Sequence, residues 1–303
     1  MATVTTNNQY YTDIANAIRE KNGTETQYKP SEMAAAIQAI SGGGEPEPPD
    51  DGKTRLYITV PANAMEGLPP PRNQVPLYIQ QTVANGVTID WGDGTAPETL
   101  PGTGAVNTTH AYAEAGDYVI SLDPAEGCQL DLGTENGANC VMGPANSSNS
   151  VYPNMLQKVI INNTRILLSS AFYNCHSLAS VVIPDGVTRI GNNAFYNCYS
   201  LVSVVIPDGV TSIGVYAFYN CYSLASVVIP DGVTSIGSRA FHNCKSVKEY
   251  HFLSPTPPSL SNTNAFSDIP SDCIIYVPVG SLQAYQTATN WATYADQMQE
   301  EPV

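Results

Sequence analysis

Between Leu156 and Cys244 the apolar positions recur every 23 residues. His176–Cys198 is followed by two near copies, Tyr199–Cys221 and Tyr222–Cys244. An incomplete forerunner ends at Ala171-Phe172-Tyr173-Asn174-Cys175. A fixed period of this size predicts a solenoid, in which each unit buries its apolar face only against its neighbours. Within a unit, Leu178, Val181 and Ile183 face the core from a parallel sheet, with Ser180 and Val182 on the outer face. Pro184-Asp185-Gly186 turns the chain, proline fixing φ and glycine permitting a positive φ. Val187 and Ile190 return to the core, and Ala194, Phe195 and Cys198 are expected on a short helical return with Phe and Cys inward. Phe172, Phe195, Phe218 and Phe241 then form one column, stacked at about 4.8 Å per coil.

Outside the repeats the pattern changes. In residues 1–40, Ile14, Ala17 and Ile18 fall at helical spacing after Thr12-Asp13, and Asn22-Gly23 stops the helix. Pro30-Ser31-Glu32 starts a second helix with Met33, Ala36, Ile37 and Ile40 on its apolar side. This helical hairpin is too small for a core of its own, so it docks or oligomerises. Residues 41–52 read as an acidic Gly/Pro linker. Residues 53–123 alternate with period two in Leu56–Val60, Pro76–Gln80, Val87–Trp91 and Asp117–Leu122, between Gly/Pro turns, which predicts a β module. Residues 124–155 read as a Gly/Asn/Ser-rich joint with one strand, Cys128–Leu132. The repeats occupy 156–244. Residues 245–303 are expected to cap the array with a strand and a helix starting at Ser281, with Leu282, Tyr285 and Trp291 facing inward. The expected fold class is thus multidomain: a helical hairpin, a β module (a β-sandwich on the resemblance given below), then a capped solenoid.

Three resemblances refine this organisation. The repeating line of Leu, then Ile-Pro, Val-x-x-Ile-Gly, Ala-Phe and Asn-Cys resembles the BspA-like leucine-rich repeats. Thr256–Leu260, Asn264–Ser267, Ile274–Pro278, Gly280–Tyr285 and Trp291 are similar to that family's C-terminal cap. This resemblance implies a surface- or tail-associated recognition protein linked to adhesion, with no enzymatic activity in the repeat itself. Ile89-Asp-Trp-Gly-Asp-Gly-Thr95 with His110–Leu122 resembles the polycystic-kidney-disease (PKD) domain, an immunoglobulin-like sandwich used as a spacer or binding module, with His110 standing before its last strand. Tyr10–Gly23 with Tyr28–Ile37 resembles the opening segment of tail and baseplate-associated proteins of phages and prophages of Gram-positive gut bacteria. That likeness implies attachment to a particle through residues 10–40.

The formal net charge of −15 argues against a nucleic-acid partner and against an anionic membrane surface. No apolar run is long enough to span a bilayer. The opening residues show no basic region followed by an apolar core, so no secretory signal is expected. The expected localisation is therefore a virion tail made in a host cytoplasm, with the bacterial cell surface as the alternative. Of the seven cysteines, four share one repeat position, which suits buried thiols better than a disulfide framework.

Candidate chemistry is sparse. Asp90 and Asp93 suggest calcium, but Gly92-Asp93-Gly94 reads more simply as a tight turn, and a calcium site needs six to eight oxygens. Asp185, Asp208 and Asp231 form a column with one carboxylate per coil. Cys128 and Cys140, without further Cys or His, give no zinc signal. His176 and His242 occupy positions held by Tyr in neighbouring units, which does not suit a catalytic base. No catalytic residue, metal or cofactor is expected.

The candidate binding residues are instead two aromatic columns, Tyr173, Tyr196, Tyr219 and Tyr199, Tyr222, and a valine row on the sheet, Val182, Val205, Val228. To these are added the pairs before Ala-Phe at which the units differ: Asn192 and Asn193, Val215 and Tyr216, Ser238 and Arg239. The expected partner is a host cell-surface protein or glycan. The expected function is phage or prophage tail-associated recognition; a BspA-like cell-surface adhesin and an accessory carbohydrate-binding protein are the alternatives.

Overall fold

The computed structural model describes residues 51–62, 73–134, 139–144, 152–162, 164 and 166–302. The expected helical hairpin and nearly all of the linker lie outside them.

The first module contains β1 (Thr54–Val60), β2 (Gln74–Gln81), β3 (Val87–Asp90), β4 (Glu98–Thr99), β5 (Gly104–Ala111), β6 (Gly116–Pro124) and β7 (Leu130–Leu132). They fall into two antiparallel arrays, β1-β6-β3-β4 and β5-β2-β7. Alternation decides their inner faces: Leu56, Ile58 and Val60, Val75, Leu77 and Ile79, and Ile120 and Leu122 are buried in one continuous core. β4 and β5 were not foreseen. β5 reads Gly-Ala-Val-Asn-Thr-Thr-His-Ala, too weakly apolar to announce a strand, yet it pairs with β2 over its full length. His110 lies on this strand, ahead of β6.

The repeats form the expected parallel solenoid. Strands Leu156–Ile160, Ser180–Val182 and Ser203–Val204 pair in parallel, register shifting by one coil each time. Ser226–Ile229, Glu249–Phe252 and Ile274–Val277 continue the same face. A second parallel sheet, unforeseen, runs through Ile166–Leu167, Arg189–Ile190, Ser212–Ile213, Ser235–Ile236 and Ser259–Leu260. Its strands are two residues long, below the length at which alternation is readable.

The phenylalanine column is a buried stack with centroid spacings of 5.3, 5.0 and 5.1 Å from Phe172 to Phe241. It extends one coil further, to Phe266 at 5.3 Å. The coils approach closely at Gly191, Gly214 and Gly237. A Cβ there would lie 2.5–2.6 Å from the backbone of the preceding coil, so only glycine fits. The glycines of Pro-Asp-Gly serve the same end. They do not have the positive φ expected of them; instead a Cβ at Gly209 or Gly232 would meet the preceding aspartate carbonyl at 2.9 or 2.7 Å.

Two seams join the modules. β1 pairs antiparallel with Leu156–Ile160, placing Leu56 opposite Val159 and Tyr57 opposite Lys158. The sheet of the first module is thereby continuous with that of the solenoid, giving seven strands. On the other side, Tyr78 N–H donates to Val141 O and Val141 N–H to Ala171 O, both at 2.9 Å. At the far end, helix Leu282–Thr287 buries Tyr285, and Trp291 is fully enclosed. Leu282 is only half-buried. A closing strand Met298–Glu300 then pairs with Ile274–Val277.

Candidate recognition surface

The return segment carries most of the candidate residues, and it is not helical. It is a run of β-turns: Tyr196 N–H donates to Asn193 O at 3.1 Å and Cys198 N–H to Phe195 O at 3.2 Å. Two residues per coil take positive φ, at Ser170, Asn193, Tyr216 and Arg239, and again at Asn174, Asn197, Asn220 and Asn243. Those left-handed residues interrupt any helix. The freed amides bond to the next coil instead, as Phe195 N–H to Ala217 O at 2.7 Å.

The coil-to-coil register brings like residues together. Tyr173, Tyr196, Tyr219 and His242 stack at 4.7, 4.7 and 4.8 Å. His176, Tyr199 and Tyr222 stack at 4.4 and 4.9 Å, and the ammonium of Lys245 lies 5.5 Å from the Tyr222 centroid. Between the columns runs an asparagine ladder that sequence reasoning missed. Asn197 Nδ2 donates to Asn174 Oδ1, Asn220 to Asn197 and Asn243 to Asn220, at 2.7–2.8 Å. The signal was an Asn before the Cys of every unit, a side chain that both tolerates positive φ and can pair with its own copy.

This stacking decides what the columns can offer. Within a column each interior ring has both faces covered by its neighbours, so it presents only its edge and hydroxyl outward. Burial and the neighbouring hydroxyls push Tyr196 up to about 12, which leaves it a neutral donor.

The variable pairs lie beside the first column. Tyr216 stands across it, its ring at 74° to Tyr196 and 75° to Tyr219. Arg239 Nη1 donates to Tyr216 Oη at 3.0 Å. Asn192 Oδ1 accepts from Val215 N–H at 2.8 Å, and Ser238 Oγ bonds Asn264 at 3.1 Å.

The valine row differs from expectation. Val182, Val205 and Val228 are half-buried rather than an exposed apolar ladder. Ser180, expected outside, is 3% exposed. Exposure of the serines rises from Ser180 through Ser203 to Ser226, following distance from the first module.

Several other polar groups have structural partners. Asp93 bonds His110 Nε2 at 2.7 Å and Thr95 Oγ1 at 2.6 Å. His110 also stacks on Trp91 at 4.7 Å. Asp90 accepts from Gly92 N–H, so the turn's own amides use these carboxylates. His251 is buried between Glu301 at 2.8 Å and Glu249 at 3.2 Å. The cysteines are free thiols. Cys198, Cys221 and Cys244 donate to the carbonyls of Phe172, Phe195 and Phe218, and Cys140 neighbours Cys175 rather than Cys128. Among the described residues no cluster of three or more His, Cys, Asp or Glu could hold a metal ion, and no helix is long and apolar enough to cross a membrane.

The repeat region is a parallel solenoid whose outer turns carry the candidate surface. Residues 148–276 match the family described as BspA type leucine rich repeat region, in 6 copies. Solved structures similar to this chain include the leucine-rich repeat protein of T. pallidum, at 28% identity over 42% of this chain and 67% of that one, with a TM-score of 0.36. A leucine-rich repeat protein from Bacteroides ovatus is 34% identical over 41% of this chain and 34% of its own, with a TM-score of 0.33. A leucine rich cell surface protein from Faecalibacterium prausnitzii is 26% identical over 55% and 42%, with a TM-score of 0.41. This chain therefore spans less than half the length of the last two. No curated protein matches it.

Proposed function

We propose that this chain is a non-enzymatic recognition protein that uses the return face of its solenoid to bind a host cell-surface protein or glycan. The observation that carries this reading is the return face itself. Two aromatic columns and an amide ladder are held at coil spacing on a continuous core, and the units differ mainly in the turn beside them. A rigid, pre-organised display loses little entropy on binding. Binding of the purified full chain to intact bacterial cells tests it. Tyr196→Ala with Tyr219→Ala is expected to weaken that binding while leaving the phenylalanine column intact. Unchanged binding by the double variant would refute the role of this face.

The finer reading is a phage or prophage tail protein, with residues 10–40 attached to the particle and the PKD-like module as a spacer. The likeness of Tyr10–Ile37 to tail-protein openings supports it. Deleting residues 1–40 is expected to abolish incorporation into particles; retained incorporation would favour the alternative, a cell-surface adhesin of the same repeat type.

A further inference from the structure

The left-handed turn position before Ala-Phe is a requirement of the coil: φ is 60° at Ser170, 55° at Asn193, 57° at Tyr216 and 53° at Arg239. Asparagine or glycine adopts this conformation with least strain, and a bulky side chain adopts it rarely. The chain nevertheless places Tyr and Arg there on consecutive coils. Folding alone would prefer Asn at both, as at Asn193. Such an outlier points toward a role for the side chains themselves.

Their geometry gives the role content. Tyr196 and Tyr219 have both faces covered by column neighbours, so they meet Tyr216 through their edges. Tyr216 thus rests on those edges and is itself half-buried. It is the ring set across the columns, and no other ring lies flat against it among the described residues. Beside it, the guanidinium of Arg239 holds the Tyr216 hydroxyl with one nitrogen, its carbon 5.8 Å from the ring centroid. Arg239 is exposed, and no carboxylate among the described residues pairs with it. Between residues 166 and 302 the other cations are Arg189, Lys245 and Lys248, and Lys248 is committed to Asp272 at 2.9 Å. On a chain of net charge −15, a strained, exposed arginine at the hydroxyl end of a half-buried tyrosine ring is an anion-selective feature set in a repulsive field.

We propose that Tyr216 and Arg239 form a subsite for an acidic sugar, a glycan unit bearing a carboxylate. The pyranose ring packs against the part of the Tyr216 ring left exposed beside Arg239, and its carboxylate takes the remaining guanidinium donors of Arg239. A flat apolar ring with a fork of donors at its hydroxyl end matches that ligand: stacking recognises the sugar's C–H face, and paired N–H groups recognise the acid. This rests on the reading of the return face as a recognition surface, and it names the class of ligand.

The test uses the full chain with 3′-sialyllactose and trigalacturonate as acidic probes. Lactose and the methyl ester of trigalacturonate are the neutral controls. Calorimetry is expected to show at least one acidic probe binding about tenfold more tightly than its neutral counterpart, the worth of one charge-assisted contact. Tyr216→Asn and Arg239→Asn are each expected to cut that affinity about tenfold or more while leaving the melting temperature equal or higher, because Asn relieves the turn. Loss of thermal stability in both variants would make the pair structural and overturn the proposal. Equal binding of acidic and neutral probes, or no binding of either acidic probe, would overturn it too. If the Tyr216→Asn/Arg239→Asn double variant still binds whole cells like the parent, recognition by the wider face survives and this subsite does not.

Discussion

Tyr57 and Lys158 face one another across the seam between the two modules, the ammonium of Lys158 lying 5.3 Å from the centroid of the Tyr57 ring. The contact belongs to a strand pair that gives the first coil a hydrogen-bonded neighbour where a solenoid would otherwise end in an open edge. Immediately beside it, the core residues Leu56 and Val159 are paired and fully buried.

That seam makes the two modules one folding unit. Leu56→Ala is expected to cost about 2–5 kcal/mol and to lower the unfolding of module and solenoid together. Differential scanning calorimetry should show a single transition moving to lower temperature. Two separate transitions, only one of them shifted, would contradict the coupling.

The asparagine ladder makes a graded prediction. Asn220 both donates to Asn197 and accepts from Asn243, and its φ is 59°. Asn220→Ala loses two hydrogen bonds at about 1 kcal/mol each and gives up the short polar side chain that eases a left-handed turn, worth about 1 kcal/mol more. Urea titration should therefore find a loss of about 3 kcal/mol. Asn220→Gly, which accepts the turn, should lose less.

The buried thiols are expected to be inert. Burial pushes Cys198 and Cys221 far above the usual thiol range, and Cys244 up to about 12. At neutral pH all three stay protonated, and the thiolate is the reactive form. Iodoacetamide followed by mass spectrometry should leave them unlabelled in the native chain and label them in denaturant.

Acid should act through Asp93. Burial opposes its ionisation, but hydrogen bonds from Thr95 and His110 outweigh that and hold the carboxyl down at about 2. A folded value below the unfolded one means that the ionised carboxyl stabilises the native state above the ordinary carboxyl value of 3.8. That contribution is lost as pH falls through about 2. Melting temperatures measured from about pH 5 to about pH 2 should fall less steeply for Asp93→Asn than for the parent. An equal slope would refute this account of the turn.

The 23-residue period alone fixed the solenoid, the inward Leu178, Val181 and Ile183, and the phenylalanine column, because a repeated apolar pattern has one way to bury itself. The tyrosine columns were equally legible, since copies at one repeat position must stack when the coils do. What sequence could not reach were features set by contacts between coils and between modules. The left-handed turns at Asn193, Tyr216 and Arg239 replaced the expected helix because their amides bond across coils, a choice no single unit reveals. The burial of Ser180 and the strand pairing of Leu56 with Val159 depend on where one module comes to rest against another. The orientation of Tyr216, set against the edges of Tyr196 and Tyr219, was decided only when neighbouring coils had already occupied the faces of those two rings.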